Sequence, residues 1–261
     1  MKTIGKNGCV NLMTSPVLAS RLPVFYPSLK KGKTDWHVKN VYGEVKVSGN
    51  LTQIHRNLLD AIFAFSIKTR EFENGSMELL VDPFQITSIT KSDRHHEWLL
   101  EKLYEMKMAN VELTDAKGLR HWGGIVSEWR EANISKSLPG GAMTGERKFY
   151  AITISSVWMR LYKTSLTVNY KEFIGEISSL KSGVLQAIAR HCLTHQELNK
   201  KLDELLMELG AINETTSRTR KYEISKEVRD ADLSKFGITI KNDVVFYKKQ
   251  ESVKFLNGSQ D

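Results

Sequence analysis

The feature that most constrains the fold is a β-hairpin pattern close to the C-terminus. Residues 238–240 and 244–247 alternate with the period of two that is typical of a half-buried strand. Lys241, Asn242 and Asp243 lie between these runs and tolerate the dihedral angles of a tight turn. Gly237, just before the pattern, can adopt the left-handed conformation that ends a helix. The sequence therefore predicts a helix that ends near Gly237 and a two-stranded ribbon directly after it.

The preceding segment, residues 218–234, has the period of an amphipathic helix. Ile224, Val228 and Ala231 fall on one narrow face, at positions i, i+4 and i+7, which predicts a stripe that faces the core. An arginine can bridge the two major-groove acceptors of guanine, a lysine neutralises phosphates, and a tyrosine hydroxyl can bond a phosphate oxygen. These residue types share the opposite face, which carries Arg218, Tyr222, Lys226 and Arg229.

Two interpretations of this helix stay open on its own residues. A basic helix followed by a two-stranded ribbon is the order of a winged helix, in which the helix enters a DNA groove and the hairpin contacts the backbone. The alternative is an ordinary solvated face, because the segment also contains the carboxylates of Glu223, Glu227, Asp230 and Asp232.

The charge of the chain favours a polyanionic partner. The 261 residues are 41% hydrophobic and 26% charged, which is ordinary for a globular protein and excludes wholesale disorder, and their formal net charge is +8. The excess is concentrated, since residues 1–50 contain eight cations against two carboxylates. Any basic surface in the rest of the chain must therefore come from the three-dimensional arrangement of nearly balanced charges.

Cysteine usage and hydropathy disfavour secreted and membrane proteins. Cys9 and Cys192 are too few and too far apart for a disulfide framework or a cysteine metal site, and Cys192 is predicted to be a small buried thiol. No apolar run has the length of a membrane span or a signal-peptide core. We therefore expect a cytoplasmic protein that does not bind membranes.

The periodicity predicts an α+β fold with two tandem winged-helix domains and a basic, poorly structured N-terminal arm. The arm lacks a sustained period and is rich in proline, glycine and cations. Each of the two units has the order helix, strand, helix, helix and hairpin. The predicted boundaries are residues 1–40 for the arm, 41–136 for the N-terminal unit, 146–250 for the C-terminal DNA-binding unit and 251–261 for a polar tail.

Four elements carry this division. In the first unit the hairpin is assigned to residues 110–114 and 121–129. The segment 137–145, with one proline and three glycines, is interpreted as the boundary between the domains. Residues 148–154 are predicted to form the first strand after that boundary, and residues 197–209 are predicted to form a leucine-rich helix.

Three runs resemble the second half of plasmid replication initiators of the Rep and TrfA kind. In that family the first run ends in the helix that joins two winged-helix domains, the second opens the C-terminal winged helix, and the third is its recognition helix leading to the wing. The resemblance covers residues 42–249 in architecture and rests on apolar spacing. The runs are Phe149-Tyr-Ala-Ile-Thr-Ile-Ser-Ser-Val-Trp-Met-Arg-Leu-Tyr162, Leu180-Lys-Ser-Gly-Val-Leu-Gln-Ala-Ile-Ala-Arg-His191 and Arg229-Asp-Ala-Asp-Leu-Ser-Lys-Phe-Gly-Ile238.

The resemblance implies a DNA-binding initiator of plasmid replication in the bacterial cytosol. Family members bind repeats called iterons at the origin and recruit the host initiator and the replicative helicase, and their dimers repress the initiator's own gene. The implied partners are thus double-stranded origin DNA, those host proteins and a second copy in a homodimer. Transferred to this sequence, the recognition role falls on Arg218, Arg220, Lys221, Tyr222, Ser225, Lys226 and Arg229, the wing role on Lys241 and Asn242, and a corresponding role in the first unit on Lys91, Arg94, His95 and His96.

The catalytic and metal-binding motifs in the sequence are incomplete. Residues 32–34 imitate the end of a phosphate loop, but Pro27 stands where the motif requires glycine. Residues 95–96 are two adjacent histidines that point to different sides of a helix and have no matching ligand set. His191 and His195 lack the glutamate that a zinc protease places between them, so a capping or structural role is favoured. We therefore expect no catalysis, no metal and no cofactor.

Three tryptophans are predicted to belong to the core. Trp122, Trp129 and Trp158 lie at strand or helix positions typical of the core, and base stacking is the minority interpretation for each.

Two functions other than replication initiation stay open. One rival function is a winged-helix transcriptional regulator, which would bind an operator and leave host replication proteins untouched. The other is a partition or phage accessory factor in which both winged helices are scaffolds for protein contacts.

Overall fold

Helices and antiparallel strands alternate along the chain, which confirms the predicted α+β class. The computed structural model describes residues 15–30, 34–90, 96–134 and 147–256. The helices are α1 Leu18–Arg21, α2 Gln53–Phe65, α3 Pro83–Ile89, α4 His96–Met108, α5 Ser156–Thr164, α6 Ile174–Ser179, α7 Gly183–Leu193, α8 Leu202–Glu208 and α9 Arg218–Arg229, with 3₁₀ turns at Lys171–Phe173 and Ser234–Phe236. The strands are β1 Ser15–Pro16, β2 Asp35–Asn40, β3 Gly43–Ser48, β4 Lys68–Glu71, β5 Met77–Val81, β6 Asn110–Asp115, β7 Arg120–Gly123, β8 Val126–Ile134, β9 Arg147–Ile154, β10 Thr167–Asn169, β11 Glu197–Lys201, β12 Ile238–Lys241, β13 Val244–Lys248 and β14 Lys254–Leu256.

The second half contains a three-stranded sheet whose last strand lies in the middle. The elements run in the order α7, β11, α8, α9, β12 and β13, and β13 pairs with both β11 and β12. The helix predicted over residues 197–209 is wrong for its first five residues, which form β11 along β13. Leucine, glutamate and lysine favour a helix locally, but pairing along a neighbouring strand overrides such weak preferences.

The first half contains this order with additional strands. The elements α2, β5, α3, α4, β8 and β9 occur in this sequence, with β4 before β5 and with β6 and β7 before β8, and β9 lies between β5 and β8. The hairpin predicted from residues 110–129 is wrong in its second strand. Of residues 121–129, those of β7 pair with β6 and those of β8 do not, and β6 and β7 join β3 and β2 in a separate inserted sheet. Gly123, at φ +151°, breaks the run, and β8 then starts along β9.

The predicted boundary at residues 137–145 lies outside the described residues, but its flanks are paired strands. β8 and β9 run antiparallel from Val126 opposite Ile154 to Ile134 opposite Arg147. The strand predicted at residues 148–154 is confirmed, yet it belongs to the sheet of the first half because it also pairs with β5. Proline and glycine thus mark the connection inside a hairpin as readily as a linker between domains.

The arm and the tail are more ordered than the sequence predicts. Residues 15–30 of the arm are packed on the protein, with Leu22 and Val24 fully buried and Phe25 3% exposed. β1 and β14 both pair with β10, so the two ends of the described chain belong to one sheet. The indole nitrogen of Trp36 donates to the carbonyl oxygen of Pro23 at 3.0 Å. A segment without helical or strand period can therefore still be fixed by burial of a few large side chains.

One close contact holds this packed arm against α7. A Cβ added at Gly183 would lie 2.5 Å from the backbone N, Cα and C atoms of Ser28. We expect Gly183→Ala to lower the free energy of unfolding by about 1–3 kcal/mol, because the two backbones must move apart. Gly175→Ala is the matched control, since its Cβ would have its nearest neighbour at 3.8 Å. That control should be neutral or stabilise by at most about 1 kcal/mol in urea denaturation; equal losses in both variants would contradict the close contact.

A buried polar cluster joins α2 in the first half to α7 in the second. Asp60 on α2 is 1% exposed, and its carboxylate lies 2.9 Å from Nε of Arg56 and 2.8 Å from Nε of Arg190 on α7. The hydroxyl of Tyr170 donates to the same carboxylate at 2.9 Å, and Arg190 also donates to Gln53 at 2.9 Å. The cluster therefore fixes α2 and α7 relative to each other.

Arg56 stays charged in this dry environment. Burial acts to lower its pKa, but the Asp60 carboxylate and the Tyr170 hydroxyl outweigh that effect and the pKa is raised. Loss of the Asp60 carboxylate would leave two buried guanidinium groups without their shared countercharge.

Candidate nucleic-acid interface

Helix α9 is shorter than predicted, but its buried face is the predicted one. Ser217 caps its N-terminus by accepting a hydrogen bond from the backbone N–H of Arg220 at 3.2 Å. Ile224 and Val228 are 3% and 0% exposed, which confirms the core-facing stripe. Ala231, the third predicted member, follows the end of the helix and packs half-buried against the core.

The opposite side of α9 forms the basic stripe, defined as Arg218, Tyr222, Lys226 and Arg229. At 3.6 residues per turn these four positions fall within about 80° of the helix circumference. All four residues are exposed, and the Tyr222 side chain is 61% exposed. The predicted grouping on one face is confirmed, and contact with DNA stays a prediction.

The acidic residues of α9 occupy a different sector. Glu223, Glu227 and Asp230 fall within about 60° of one another, beside the basic stripe and away from its centre. Arg220, predicted to contact DNA, lies on this side and forms an ion pair with Glu223 at 3.1 Å. The cations of the basic stripe and the carboxylates of α9, whose mixture left two interpretations open, thus lie on two different sides of the helix.

Two further predicted residues lie on the buried flank of α9. Ser225 is 7% exposed, so its hydroxyl has little access to a ligand. Lys221 is half-buried. Neither belongs to the basic stripe, because both positions lie between that stripe and the core-facing residues.

The turn between β12 and β13 extends the basic stripe. Asn242 and Asp243 have φ angles of 51° and 59°, which is the pair of left-handed residues that a two-residue type I′ hairpin turn requires. Lys241 and Asn242 are exposed at its tip, as predicted for a wing. A guanidinium nitrogen of Arg229 lies 2.6 Å from the Asp243 carboxylate, so the helix end and the hairpin tip form one surface.

The residues predicted to contact DNA in the first unit lie almost entirely outside the described part of the chain, so their role stays a prediction. Lys91, Arg94 and His95 lie outside the described residues, and His96 opens α4 with a side chain that is also outside them. The exposed residues at i, i+4, i+7 and i+11 along α4 are acidic or apolar, namely Glu97, Glu101, Tyr104 and Met108. This stripe would repel phosphates.

The Cys192 thiol on α7 and the His195 ring after that helix are both packed within the fold. Burial raises the pKa of the Cys192 thiol, in line with the predicted buried cysteine. His195 shares a hydrogen bond of 3.1 Å with the hydroxyl of Tyr42, and burial lowers its pKa to about 4, which keeps the ring neutral at pH 7.

The described residues contain no group of three or more His, Cys, Asp or Glu side chains that could hold a metal ion. Within the same residues, no helix is long and apolar enough to cross a membrane.

The tryptophan predictions are wrong at one position. Trp158 is 2% exposed and Trp129 is half-buried, but Trp122 is 70% exposed. Successive side chains of a strand point to opposite faces, so with His121 buried on β7 the indole of Trp122 points outward. The sequence offers this alternation but does not tell which face of the sheet is covered.

Comparisons with known proteins give one structural likeness. No family model matches the sequence, and no curated protein matches it. The crystal structure of domains 2-3 of RctB is similar at a TM-score of 0.45 and 10% sequence identity, covering 93% of this chain and 97% of that chain.

Proposed function

We propose that this chain binds double-stranded DNA in a sequence-specific manner through the basic stripe of α9 and the β12–β13 turn. The observation that carries the proposal is the separation of charge on α9, which directs three cations and a tyrosine to the side where Arg229 contacts Asp243 of the turn. A continuous basic surface made of a helix and a hairpin tip fits a groove with its flanking phosphates.

The two halves are proposed to be tandem winged helices. Both contain the order helix, strand, helix, helix and two strands, with the last strand central in the sheet. Under this proposal the first unit extends to the end of β9, and α5 connects it to the second unit, which runs from α7 to β13. The acidic and apolar stripe on α4 favours a DNA-reading role for the second unit.

The biological role that we propose is initiation of plasmid replication without catalysis. It rests on the resemblance of three runs of the sequence to Rep and TrfA initiators. Repeated binding at an origin would strain the duplex, and the bound copies would recruit the host initiator and the replicative helicase in the bacterial cytoplasm. Dimers of the chain would then act as repressors of its own gene.

Footprinting and a replication assay test this role together. DNA flanking the gene should contain several protected direct repeats, and a plasmid bearing that region should replicate only when the protein is supplied. A single protected inverted repeat without replication would favour the transcriptional regulator. Absence of any specific footprint would favour the interaction scaffold and refute the DNA-binding proposal.

Arg229 is the residue of the basic stripe most closely tied to the hairpin. We expect Arg229→Ala to reduce discrimination between the specific site and a mismatched site by about 1–3 kcal/mol, because an arginine can bond two acceptors of one guanine. Arg220→Ala is the matched control, since Arg220 pairs with Glu223 on the acidic side. Quantitative gel shifts on matched and mismatched duplexes measure both variants. A uniform loss on all sequences would instead make Arg229 a phosphate contact.

A further inference from the structure

The inserted sheet β2–β3–β6–β7 has an outer face that combines an exposed indole with charged side chains. The register places Lys46 opposite Glu112 and Glu112 opposite Trp122 in one row across the strands. The next row places Thr114 opposite Arg120. The exposed indole presents a large, flat apolar surface on which another ring can stack.

Helix α5 turns this face into a basin. Gly123 lets α5 approach the edge strand, since a Cβ added there would lie 3.2 Å from the side chain of Val157. Val157 and Arg160 of α5 line one cavity together with Arg120 and Trp122. The cavity has a volume of about 620 Å³, which is within the range of small-molecule sites. We call it the Trp122 basin.

Two of the three cations that line the Trp122 basin have no partner among the described residues, while Glu44 and Glu112 line the same cavity. The guanidinium groups of Arg120 and Arg160 have no ion pair or hydrogen bond within the described part of the chain. Lys46, by contrast, is already 3.3 Å from the carboxylate of Glu44. Two guanidinium groups that line one cavity without a described partner favour an anion with several oxygens, such as a phosphate.

A buried histidine adjoins the basin from the other side of the strand. His121 is 4% exposed, and its side chain lies on the opposite face of β7 from Trp122. Burial and the neighbouring Arg160 lower the pKa of His121, so at pH 7 the ring is neutral and adds no charge beside the basin. Glu112, next to Trp122, offers carboxylate oxygens to an amino or hydroxyl group.

We propose that the Trp122 basin binds one nucleotide unit, with the base stacked on Trp122 and the phosphate held by Arg120 and Arg160. Glu112 would accept a hydrogen bond from the base or the sugar. The unit is either a free nucleoside phosphate or part of an unpaired strand, since both present the same chemistry. The site is separate from the basic stripe of α9 and does not depend on the function proposed for that stripe.

Binding of two probes by the full chain tests this site. The probes are a fluorescent oligo(dT) strand and dTTP, each titrated with the wild type, with Trp122→Ala and with the double variant Arg120→Gln/Arg160→Gln. We expect binding of at least one probe and a loss of roughly tenfold or more in Trp122→Ala, since stacking of a base on an aromatic ring is worth about that much. Binding of only the strand identifies an unpaired strand as the source, and binding of only dTTP identifies the free nucleotide.

Three controls keep the result decisive. Trp122→Phe retains a stacking ring and should bind more tightly than Trp122→Ala, which separates stacking from a folding defect. Tyr104→Ala removes another exposed aromatic side chain, 55% exposed on α4, and should bind like the wild type. Arg218→Gln/Lys226→Gln should weaken binding of duplex DNA and leave binding of the probes unchanged.

The proposal is overturned by a wild type that binds neither probe, or by basin variants that bind both as tightly as the wild type.

Discussion

Replacing Asp60 by alanine is expected to lower the free energy of unfolding by about 3–5 kcal/mol. The variant would leave two guanidinium groups, those of Arg56 and Arg190, buried at 2% exposure each without their common carboxylate. It would also remove the acceptor of the Tyr170 hydroxyl. Equilibrium unfolding in urea, followed by circular dichroism, measures the loss.

Two matched variants show whether the buried charge is the cause. Glu71→Gln breaks an ion pair with Lys163 in which both side chains are more than a third exposed, so it should cost less than about 1 kcal/mol. The triple variant Arg56→Met/Asp60→Leu/Arg190→Met removes every charge at once and should recover much of the lost stability, as an apolar replacement of a buried ion cluster often does. A loss in Asp60→Ala no larger than in Glu71→Gln would contradict the role of the cluster.

Replacing Arg218 and Lys226 together by glutamine is expected to weaken binding of duplex DNA by about 10- to 100-fold near 0.1 M salt. Both side chains are exposed on the basic stripe, and each would release counterions when it neutralises a phosphate. The slope of log affinity against log salt concentration should therefore become shallower by about 1.8. Fluorescence anisotropy over a salt series measures both quantities.

The acidic side of α9 supplies the control for this variant. Glu223→Gln/Glu227→Gln makes the same number of changes on the same helix and also removes charge, but from the other sector. If the basic stripe is the surface that meets DNA, this control should bind as tightly as the wild type or more tightly. An equal loss in both double variants would mean that α9 contributes through its fold and not through a DNA-facing stripe.

Local patterns predicted the core-facing stripe of α9 and the turn between β12 and β13. The apolar spacing of Ile224 and Val228 and the turn residues Asn242 and Asp243 act within a few positions of one another, so their physical consequences are visible in sequence. The same patterns gave the α+β class and the strand at residues 148–154. They did not give its partners, because β9 pairs with β5 from far earlier in the chain.

The sequence-based predictions were wrong where contacts with residues remote in sequence determine the structure. Residues 197–201 have helix-forming side chains, but they form β11 because β13 offers a partner. Trp122 is exposed because no described element covers the outer face of β7 at that position. The burial of Leu22 and Val24 likewise depends on neighbours that are remote in sequence. No local period encodes such contacts.

By itself the sequence determined the helix-and-hairpin grammar of this protein, the basic face of α9 and the tight turn that follows it, since capping, turn dihedrals and helical period are local properties. Only the tertiary structure decided that the basic face of α9 lies next to the hairpin tip, that Asp60 and Arg190 join the two halves, and that Trp122 faces an open basin. The physical reason is that burial and ion pairing depend on which residues meet in the folded chain. Neither of two segments that meet in this way identifies the other by its own sequence.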